Sequence, residues 1–296
     1  MSGYNLVVAN FYPRQMTSHA VRASFKWALA LVVLVTIPAL AGAQAQHIDD
    51  EIERLQKQVQ NPVANLISIP LENDTNFSIG PFNRTQNVLN LEPVVPLAVS
   101  QNWNLIVRVI LPLISQPYVN RPDGYKNGLG DLNPTLFLTP SKPRKIIWGV
   151  GPAVSMPTAT NSALGIGKWA AGPSAVALVQ PGKWTIGALT NNLWSFEGDK
   201  DRPQTNSFLL QYFIYYNFEK GWYFLSSPNV TSHWNVDPGE KWLVPFGAGL
   251  GRVFRIRGAP FNGQAATYYS AIHPDTLPYP KWQVRFQLAL LLPLEK

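Results

Sequence analysis

The chain has 296 residues, of which 46% are hydrophobic and 14% are charged, and its formal net charge is +7. It contains no cysteine, which excludes thiolate catalysis and cysteine metal sites and suits a periplasmic or outer-membrane protein without disulfides. The charge is scattered, without basic runs interleaved with aromatic residues, so the composition predicts no nucleic-acid partner.

The first 45 residues have the pattern of an export signal. Basic residues precede an apolar run over 27–40, which ends in small residues with a cleavage-like Ala-x-Ala pattern. A membrane anchor is the alternative, but the run is shorter than the ~20 residues that a spanning helix needs. Met16 is a second candidate start. We therefore predict a cleaved signal peptide over 1–45.

A short amphipathic helix is predicted over 46–61. Its apolar residues recur at helical spacing (Ile48, Ile52, Leu55 and Val59), and acidic residues occupy the first turn, where the helix dipole favours them. We interpret it as a helix that covers one mouth of the strand-rich domain over 62–296 or packs loosely in the periplasm. A coiled coil is the alternative, although two heptads are marginal.

From residue 66 onward, apolar and polar residues alternate in segments that suit membrane strands. A strand tilted across the hydrocarbon core needs ~9–11 residues. We predict twelve strands, near 66–78, 87–98, 103–115, 131–141, 145–157, 169–180, 184–196, 205–218, 222–234, 241–255, 263–273 and 281–293. An even number returns both ends of the chain to one side of a barrel.

The predicted connections alternate in length. Short turns follow strands 2, 4, 6 and 8, whereas longer polar segments such as 116–130 and 158–168 follow odd-numbered strands. Short periplasmic turns and longer outer loops are typical of outer-membrane barrels. Two links break this alternation, because the link after strand 9 reads as short and the link after strand 10 as long.

Nine of the ten tryptophans lie at or near the ends of predicted strands. They are Trp103, Trp148, Trp169, Trp184, Trp194, Trp222, Trp234, Trp242 and Trp282. An indole at the depth of the lipid headgroups buries its ring and keeps its N–H hydrated, whereas a soluble β-sandwich gives no reason for this placement. The sequence therefore predicts an all-β, closed antiparallel transmembrane β-barrel of about twelve strands with an aromatic girdle, in contact with outer-membrane lipid.

The predicted inner face carries charged and apolar residues. The lumen-lining candidates are Glu72, Glu92, Arg108, Asp131, Gln211 and Arg285. Four of them lie on strands 1, 2, 3 and 12, which become neighbours when the barrel closes. Their charges either bias a pore or form a salt-bridge network that fills the interior. Inward apolar residues such as Leu66, Ile106 and Ile110 suit hydrophobic or aromatic cargo, or simply fill the interior.

Catalytic chemistry is not expected. The histidines after the leader, His47, His233 and His273, are not in metal-ligand spacing, and a nucleophile elbow is present only in part, at 172–176. We predict no enzyme activity, no catalytic residue, no metal site and no cofactor. The alternative is an outer-membrane enzyme of lipase type, which would depend on His233 or His273.

Several stretches resemble a family of bacterial outer-membrane proteins. They are NPVANLISIPLEND at 61–74, LNLEPVVPLAVSQNWNLIVRVILPLI at 89–114, GLGDL at 128–132, GKWTIGALTNNLWSF at 182–196, KWLVPFGAGLGRVFRI at 241–256 and WQVRFQLALLLP at 282–293. This family is often labelled "neuromedin U" or "transporter", and it is similar to outer-membrane proteins linked with the meta pathway of phenol degradation.

The resemblance covers nearly all of 60–296 and implies an outer-membrane barrel with a transport role, assembled by the barrel-assembly machinery. It supplies no catalytic residues. The chain departs from many outer-membrane barrels because it ends in Leu294-Glu295-Lys296 and not in an aromatic residue. We expect passive passage of small solutes, including hydrophobic or aromatic ones, across the outer membrane of a Gram-negative bacterium. A non-conducting structural barrel is the other alternative.

Overall fold

A computed structural model describes residues 50–142, 144–274 and 278–294. Within these ranges the chain forms one α-helix followed by a closed barrel of twelve antiparallel strands, which confirms the predicted fold class. The predicted signal peptide over 1–45 lies outside the described residues. In the described part of the chain, no helix is both long enough and apolar enough to cross a membrane.

The twelve strands follow one another around the barrel in chain order. They are β1 (Leu66–Ile79), β2 (Arg84–Leu91 and Val94–Ala98), β3 (Trp103–Pro117), β4 (Tyr125–Leu129 and Asn133–Pro140), β5 (Ile146–Ser155), β6 (Lys168–Val179), β7 (Trp184–Gly198), β8 (Asn206–Asn217), β9 (Trp222–Ser226 and Asn229–His233), β10 (Trp242–Ile256), β11 (Ala259–Ile272) and β12 (Trp282–Pro293). The breaks in β2 and β9 contain Pro93 and Pro228, because proline has no N–H to donate to the ladder.

The barrel closes by pairing its first strand with its last. The ladder between β1 and β12 runs without interruption from Leu66 opposite Pro293 to Phe77 opposite Trp282. Side chains alternate between the two faces, so Phe286 is 57% exposed on the outside of β12 while its neighbour Arg285 is 3% exposed inside. Closure leaves no unpaired sheet edge.

The connections separate the barrel into two ends. The end that we call the short-turn end carries the links 99–102, 141–145, 180–183, 218–221 and 257–258. The long-loop end carries the links 80–83, 118–124, 156–167, 199–205, 234–241 and 273–281. Short links therefore follow β2, β4, β6, β8 and β10.

Two predicted connections were wrong. The link after β10 is the two-residue turn Arg257–Gly258, and the link after β9 is the longer segment 234–241. Arg257 and Gly258 have φ angles of +50° and +87°, the left-handed conformation that two-residue hairpin turns prefer. Pro260 then lies inside β11, opposite Arg255, although proline usually interrupts a strand. The alternation of short and long connections is thus more regular than predicted.

The nine tryptophans form two belts on the outside of the barrel. The short-turn belt contains Trp103, Trp148, Trp184 and Trp222. The long-loop belt contains Trp169, Trp194, Trp234, Trp242 and Trp282. Several pack edge-to-face with other rings, for example Trp103 with Trp148 at 5.9 Å between centroids. Their spacing along the strands matches the two interfaces of a bilayer.

The α-helix, residues 50–59, lies inside the short-turn end of the barrel. Leu55 is fully buried against Tyr223, Leu225 and Val253, which project inward from β9 and β10. The chain then turns at Asn61, whose Oδ1 accepts a hydrogen bond from the backbone N–H of Val63. Because the apolar face of the helix is covered by the barrel wall, it is not available for the coiled coil considered above.

Candidate functional site: the internal cavity

The barrel encloses a cavity of about 250 Å³ beyond the helix. Its wall comes from inward-facing residues of β1 to β4, β7 to β9, β11 and β12, and residues 58–64 close it on the side of the short-turn end. We call 50–64 the plug segment. The cavity is thus a part of the lumen whose short-turn mouth is closed by the chain itself.

One side of the cavity is ionic. The Arg285 guanidinium donates from Nε and Nη2 to the two carboxylate oxygens of Asp74, at 2.7 and 2.9 Å. Its Nε also lies 3.2 Å from Oε1 of Glu72, and Nε2 of Gln287 donates to Oε2 of Glu72 at 3.1 Å. These contacts cross the β1–β12 seam, where Asp74 faces Arg285 directly.

A second ion pair lies next to the first. Arg108 on β3 donates from Nη2 to Oε2 of Glu92, at 2.7 Å. Glu92 occupies the break in β2, and its backbone N–H donates to the carbonyl of Pro70 on β1. The interruption of β2 therefore directs this carboxylate toward Arg108, and buried charges of opposite sign partly offset the cost of removing each from water.

Part of the cavity wall is apolar. Phe137 on β4, Leu189 on β7 and Phe213 on β8 pack together with Val63 of the plug segment. In a twelve-stranded barrel, β7 lies across the lumen from β1, so Leu189 faces the seam, whereas Phe137 lies on the strand next to Arg108. Ile110 also lines the cavity, while Ile106 and Leu66 are buried in the two apolar clusters around the plug segment.

Buried hydrogen bonds hold the plug segment in the barrel. The side-chain amide of Gln60 donates to Oδ1 of Asn217 at 2.7 Å, and its Oε1 accepts from Nδ2 of Asn217 at 3.2 Å and from Oγ1 of Thr185 at 2.8 Å. One turn earlier, Nε2 of Gln56 donates to the carbonyl of Trp222 at 2.9 Å. Neither glutamine side chain is solvated, so these contacts are not exchanged for water without moving the segment.

The mouth of the barrel adds two further contacts to the plug segment. Nε2 of Gln180, in the turn after β6, donates to the carbonyl of Lys57 at 2.7 Å. Arg255 on β10 forms an ion pair with Glu51 in the first turn of the helix. Together with the buried glutamines, these contacts fix both ends of the helix.

Asp131 has a different place from the other predicted lumen residues. It lies in the break of β4 and does not line the cavity. Its Oδ1 accepts from the backbone N–H of Ala159 at 3.1 Å, and its Oδ2 accepts from that of Ile166 at 2.7 Å. This carboxylate therefore fastens the loop 156–167 at the long-loop end.

The other five predicted lumen residues line the cavity. They are Glu72, Glu92, Arg108, Gln211 and Arg285. Sequence reasoning missed Asp74, although it follows Glu72 by two positions and therefore shares its face of β1. It also missed Gln56 and Gln60, whose spacing of four places both on one face of the helix, toward the wall. No sequence pattern indicates their partners, which come from strands more than 120 residues away.

The histidines lie apart from the cavity. His233 on β9 faces Ser207 on β8, with 3.1 Å between Nδ1 and Oγ, and His273 contacts its neighbouring carbonyl at Pro274. In the part of the chain that the structure describes, no group of three or more His, Asp or Glu side chains is placed to hold a metal ion.

Solved structures with the same fold include an outer membrane channel from Pseudomonas putida F1. It is 15% identical, with a TM-score of 0.59, over 77% of this chain and 94% of that chain. Outer membrane phospholipase A from Escherichia coli is 13% identical (TM-score 0.42) over 75% of this chain and 92% of that one. A Pseudomonas aeruginosa FadL homologue is 9% identical (TM-score 0.34) over 78% and 90%. Of these three structures, the channel alone has a TM-score above 0.5, which supports a shared barrel fold.

Neither the scan against protein families nor the search of curated proteins gives a match to this chain.

Proposed function

We propose that the protein is an outer-membrane channel for the passive passage of small solutes, including hydrophobic or aromatic ones, and that its plug segment closes the short-turn mouth. The observation that carries this proposal is the cavity of about 250 Å³ inside a closed barrel. Twelve strands lie between the eight that side chains fill and the sixteen or more that leave an open pore. A lumen of this width needs only one short segment to close it.

The mixed lining of the cavity supports the choice of solute. Phe137, Leu189 and Phe213 offer a surface to an apolar or aromatic group, while the ion pairs of Arg108 and Arg285 offer polar contacts in the same cavity. Most ligand pockets combine a largely apolar lining with a few polar groups that fix orientation. The fold shared with a solved outer membrane channel is consistent with the same role.

The location follows from the outer surface. Two tryptophan belts enclose a band of exposed apolar residues, which suits contact with outer-membrane lipid. We propose export by the signal peptide over 1–45 and insertion by the barrel-assembly machinery. We also propose membership of the family labelled "neuromedin U" or "transporter", supported by motifs at 61–74 and 282–293, which form much of β1 and β12. The short-turn end then faces the periplasm.

Single-channel recording in a planar bilayer tests the channel function. We expect the purified protein to show brief, discrete conductance steps, because the plug segment keeps the lumen closed most of the time. Small aromatic solutes that enter the cavity should shorten the open events. A folded, heat-modifiable barrel that never conducts would contradict the proposal.

The contact between Ser207 and His233 is the one observation that favours a second function, an enzyme of lipase type. A hydrolase needs a serine within hydrogen-bond distance of a base, and these atoms are 3.1 Å apart. The contact uses Nδ1, and within the described residues no carboxylate is shown to orient the ring. We propose that the protein is not an enzyme. Ester hydrolysis by the purified protein that disappears in His233→Ala would reverse this assignment.

A further inference from the structure

Basic residues are concentrated at one end of the barrel. The group that we call the basic rim contains Lys142, Arg144, Lys145, Lys183, Lys220 and Arg252, in or beside the turns after β4, β6 and β8. All six are exposed. Arg255 and Arg257 continue the row at the β10–β11 turn, and Glu219 is the single acidic residue of the five short turns.

The long-loop end has no such excess. In the loops 118–124, 199–205 and 234–241, four basic residues stand beside five acidic ones. The basic rim is therefore a property of one end and not a consequence of the overall positive charge. Within the described residues, none of its six cations forms an ion pair, whereas the adjacent Arg255 is paired with Glu51.

The rim lies just outside the short-turn tryptophan belt. Lys183 directly precedes Trp184, and Lys220 precedes Trp222 by two positions. Tryptophan belts mark the boundary between hydrocarbon and headgroups, and an extended chain advances about 3.3 Å per residue. The ammonium groups therefore lie at the depth of the lipid phosphates.

The Arg252 side chain is directed toward lipid and not into the mouth. Its guanidinium carbon lies 5.2 Å from the centroid of the Trp222 ring, on the outer face of the barrel. The next residue, Val253, is buried inside against the helix. An arginine over an outward indole presents its remaining N–H groups to the headgroup layer, where phosphate oxygens accept bidentate hydrogen bonds.

From this placement we propose that the basic rim binds anionic phospholipid headgroups of the leaflet at the short-turn end. The cations span three successive turns, so a flat membrane surface meets all of them at once, whereas a soluble acidic peptide would meet them only by wrapping around the barrel. Each Lys or Arg near an anionic surface raises affinity by a factor of about five. The inference rests on the proposed membrane location and adds a lipid preference to it.

Lipid selectivity in vesicles tests the proposal. The full-length protein is reconstituted in phosphatidylcholine, and the association of spin-labelled phosphatidylglycerol is compared with that of spin-labelled phosphatidylcholine. We expect the protein to enrich phosphatidylglycerol. The variant K142Q/R144Q/K145Q should lower this preference by about twofold or more, because it removes half of the rim. About 1 M NaCl should remove it, since the Debye length falls to about 3 Å.

The matched control removes three cations from the long-loop end, in R121Q/K200Q/K241Q, and should leave the preference unchanged. The proposal is overturned if the wild type shows no preference, if both triple variants lose it equally, or if inorganic phosphate or a soluble acidic peptide abolishes it at low concentration. A chain that does not insert into vesicles would contradict the proposed function itself, which separates that failure from a failure of the rim.

Discussion

Arg285 is the residue on which the interior of the barrel depends most. It is 3% exposed and contacts two carboxylates on the neighbouring strand, Asp74 and Glu72. A buried pair of this kind contributes little net stability compared with apolar residues, but removing one partner leaves the other charge buried and unpaired. The effect of this ion pair on stability is therefore largest when one partner is removed and the other is kept.

The substitution Arg285→Met measures this effect. We expect the free energy of unfolding to fall by about 3–5 kcal/mol, because two buried carboxylates lose their cation. Urea-induced unfolding in lipid vesicles gives the value. The double variant D74N/R285M serves as the control and should recover part of the loss. A change of less than about 1 kcal/mol in the single variant, the size of an exposed ion pair, would contradict the account.

Gln60 is the residue that fastens the plug segment. Gln60→Ala removes its three side-chain hydrogen bonds and leaves Asn217 and Thr185 without those partners. A buried unsatisfied group costs about 1–3 kcal/mol. The ratio of closed to open states should therefore fall by about tenfold or more. Single-channel recording should show a correspondingly larger open fraction. Arg54→Ala, at an exposed position of the same helix, should behave like the wild type, and equal open fractions would refute the role of Gln60.

The sequence indicates which residues face inward but not what they contact. Alternation along β1, β2, β3 and β12 places Glu72, Glu92, Arg108 and Arg285 on one face, and closure makes these strands neighbours. The partners depend on register, which is fixed by turns and strand breaks. The break at Glu92-Pro93, for example, brings the Glu92 side chain to Arg108, although Val94 is the residue opposite Arg108 in the ladder. Contacts such as Gln60 with Thr185 depend on the packing of the whole helix.

At the scale of elements, the loop 156–167 has a fixed attachment at Asp131. In addition to the two backbone N–H groups that bind its carboxylate, Thr158 and Thr160 accept from the backbone of Leu132 and Leu129, at 2.9 and 3.1 Å. The break in β4 exposes these backbone groups. The interruption of the strand is thus what allows the loop to dock.

Asp131→Ala should loosen this loop without unfolding the barrel. Hydrogen bonds to a charged group contribute about 1.5–3 kcal/mol each, and Asp131 accepts two from the loop. We expect protease cleavage within 156–167 to become at least about tenfold faster, with the β-sheet circular dichroism unchanged. Asp123→Ala in the neighbouring exposed loop is the control. Equal cleavage rates in both variants would show that Asp131 does not hold the loop.

The strands themselves were predictable because each has a lipid face and a lumen face, which gives a simple alternation. The residues at which the strands start and break were harder to predict. The start of β11 was predicted at 263, four residues too late. The two-residue turn at Arg257 and Gly258 was not recognised, and Pro260 lies inside the strand although proline usually occurs in loops or at strand breaks. The start of β4 at Tyr125 was missed because 125–129 is polar and pairs with the end of β3 beyond the apolar band.

At the scale of the whole molecule, a membrane barrel holds a segment of its own chain inside one end of its lumen. The outside of the barrel contacts the bilayer through the two tryptophan belts, the exposed apolar band and the basic rim. On the inside, the plug segment occupies the short-turn end of the lumen, and the ion pairs line the cavity beyond it. The central claim is that displacement of the plug segment opens the lumen.

A reversible tether on the plug segment tests this claim most directly. Because the chain has no cysteine, E51C/R255C introduces one reactive pair where the helix and β10 form an ion pair. A bismaleimide that reductant can cleave joins them, and single-channel conductance is recorded before and after cleavage. The account predicts that the tethered barrel is silent and that the same barrel conducts once the tether is cut. Conductance that is equal in the two states would contradict it.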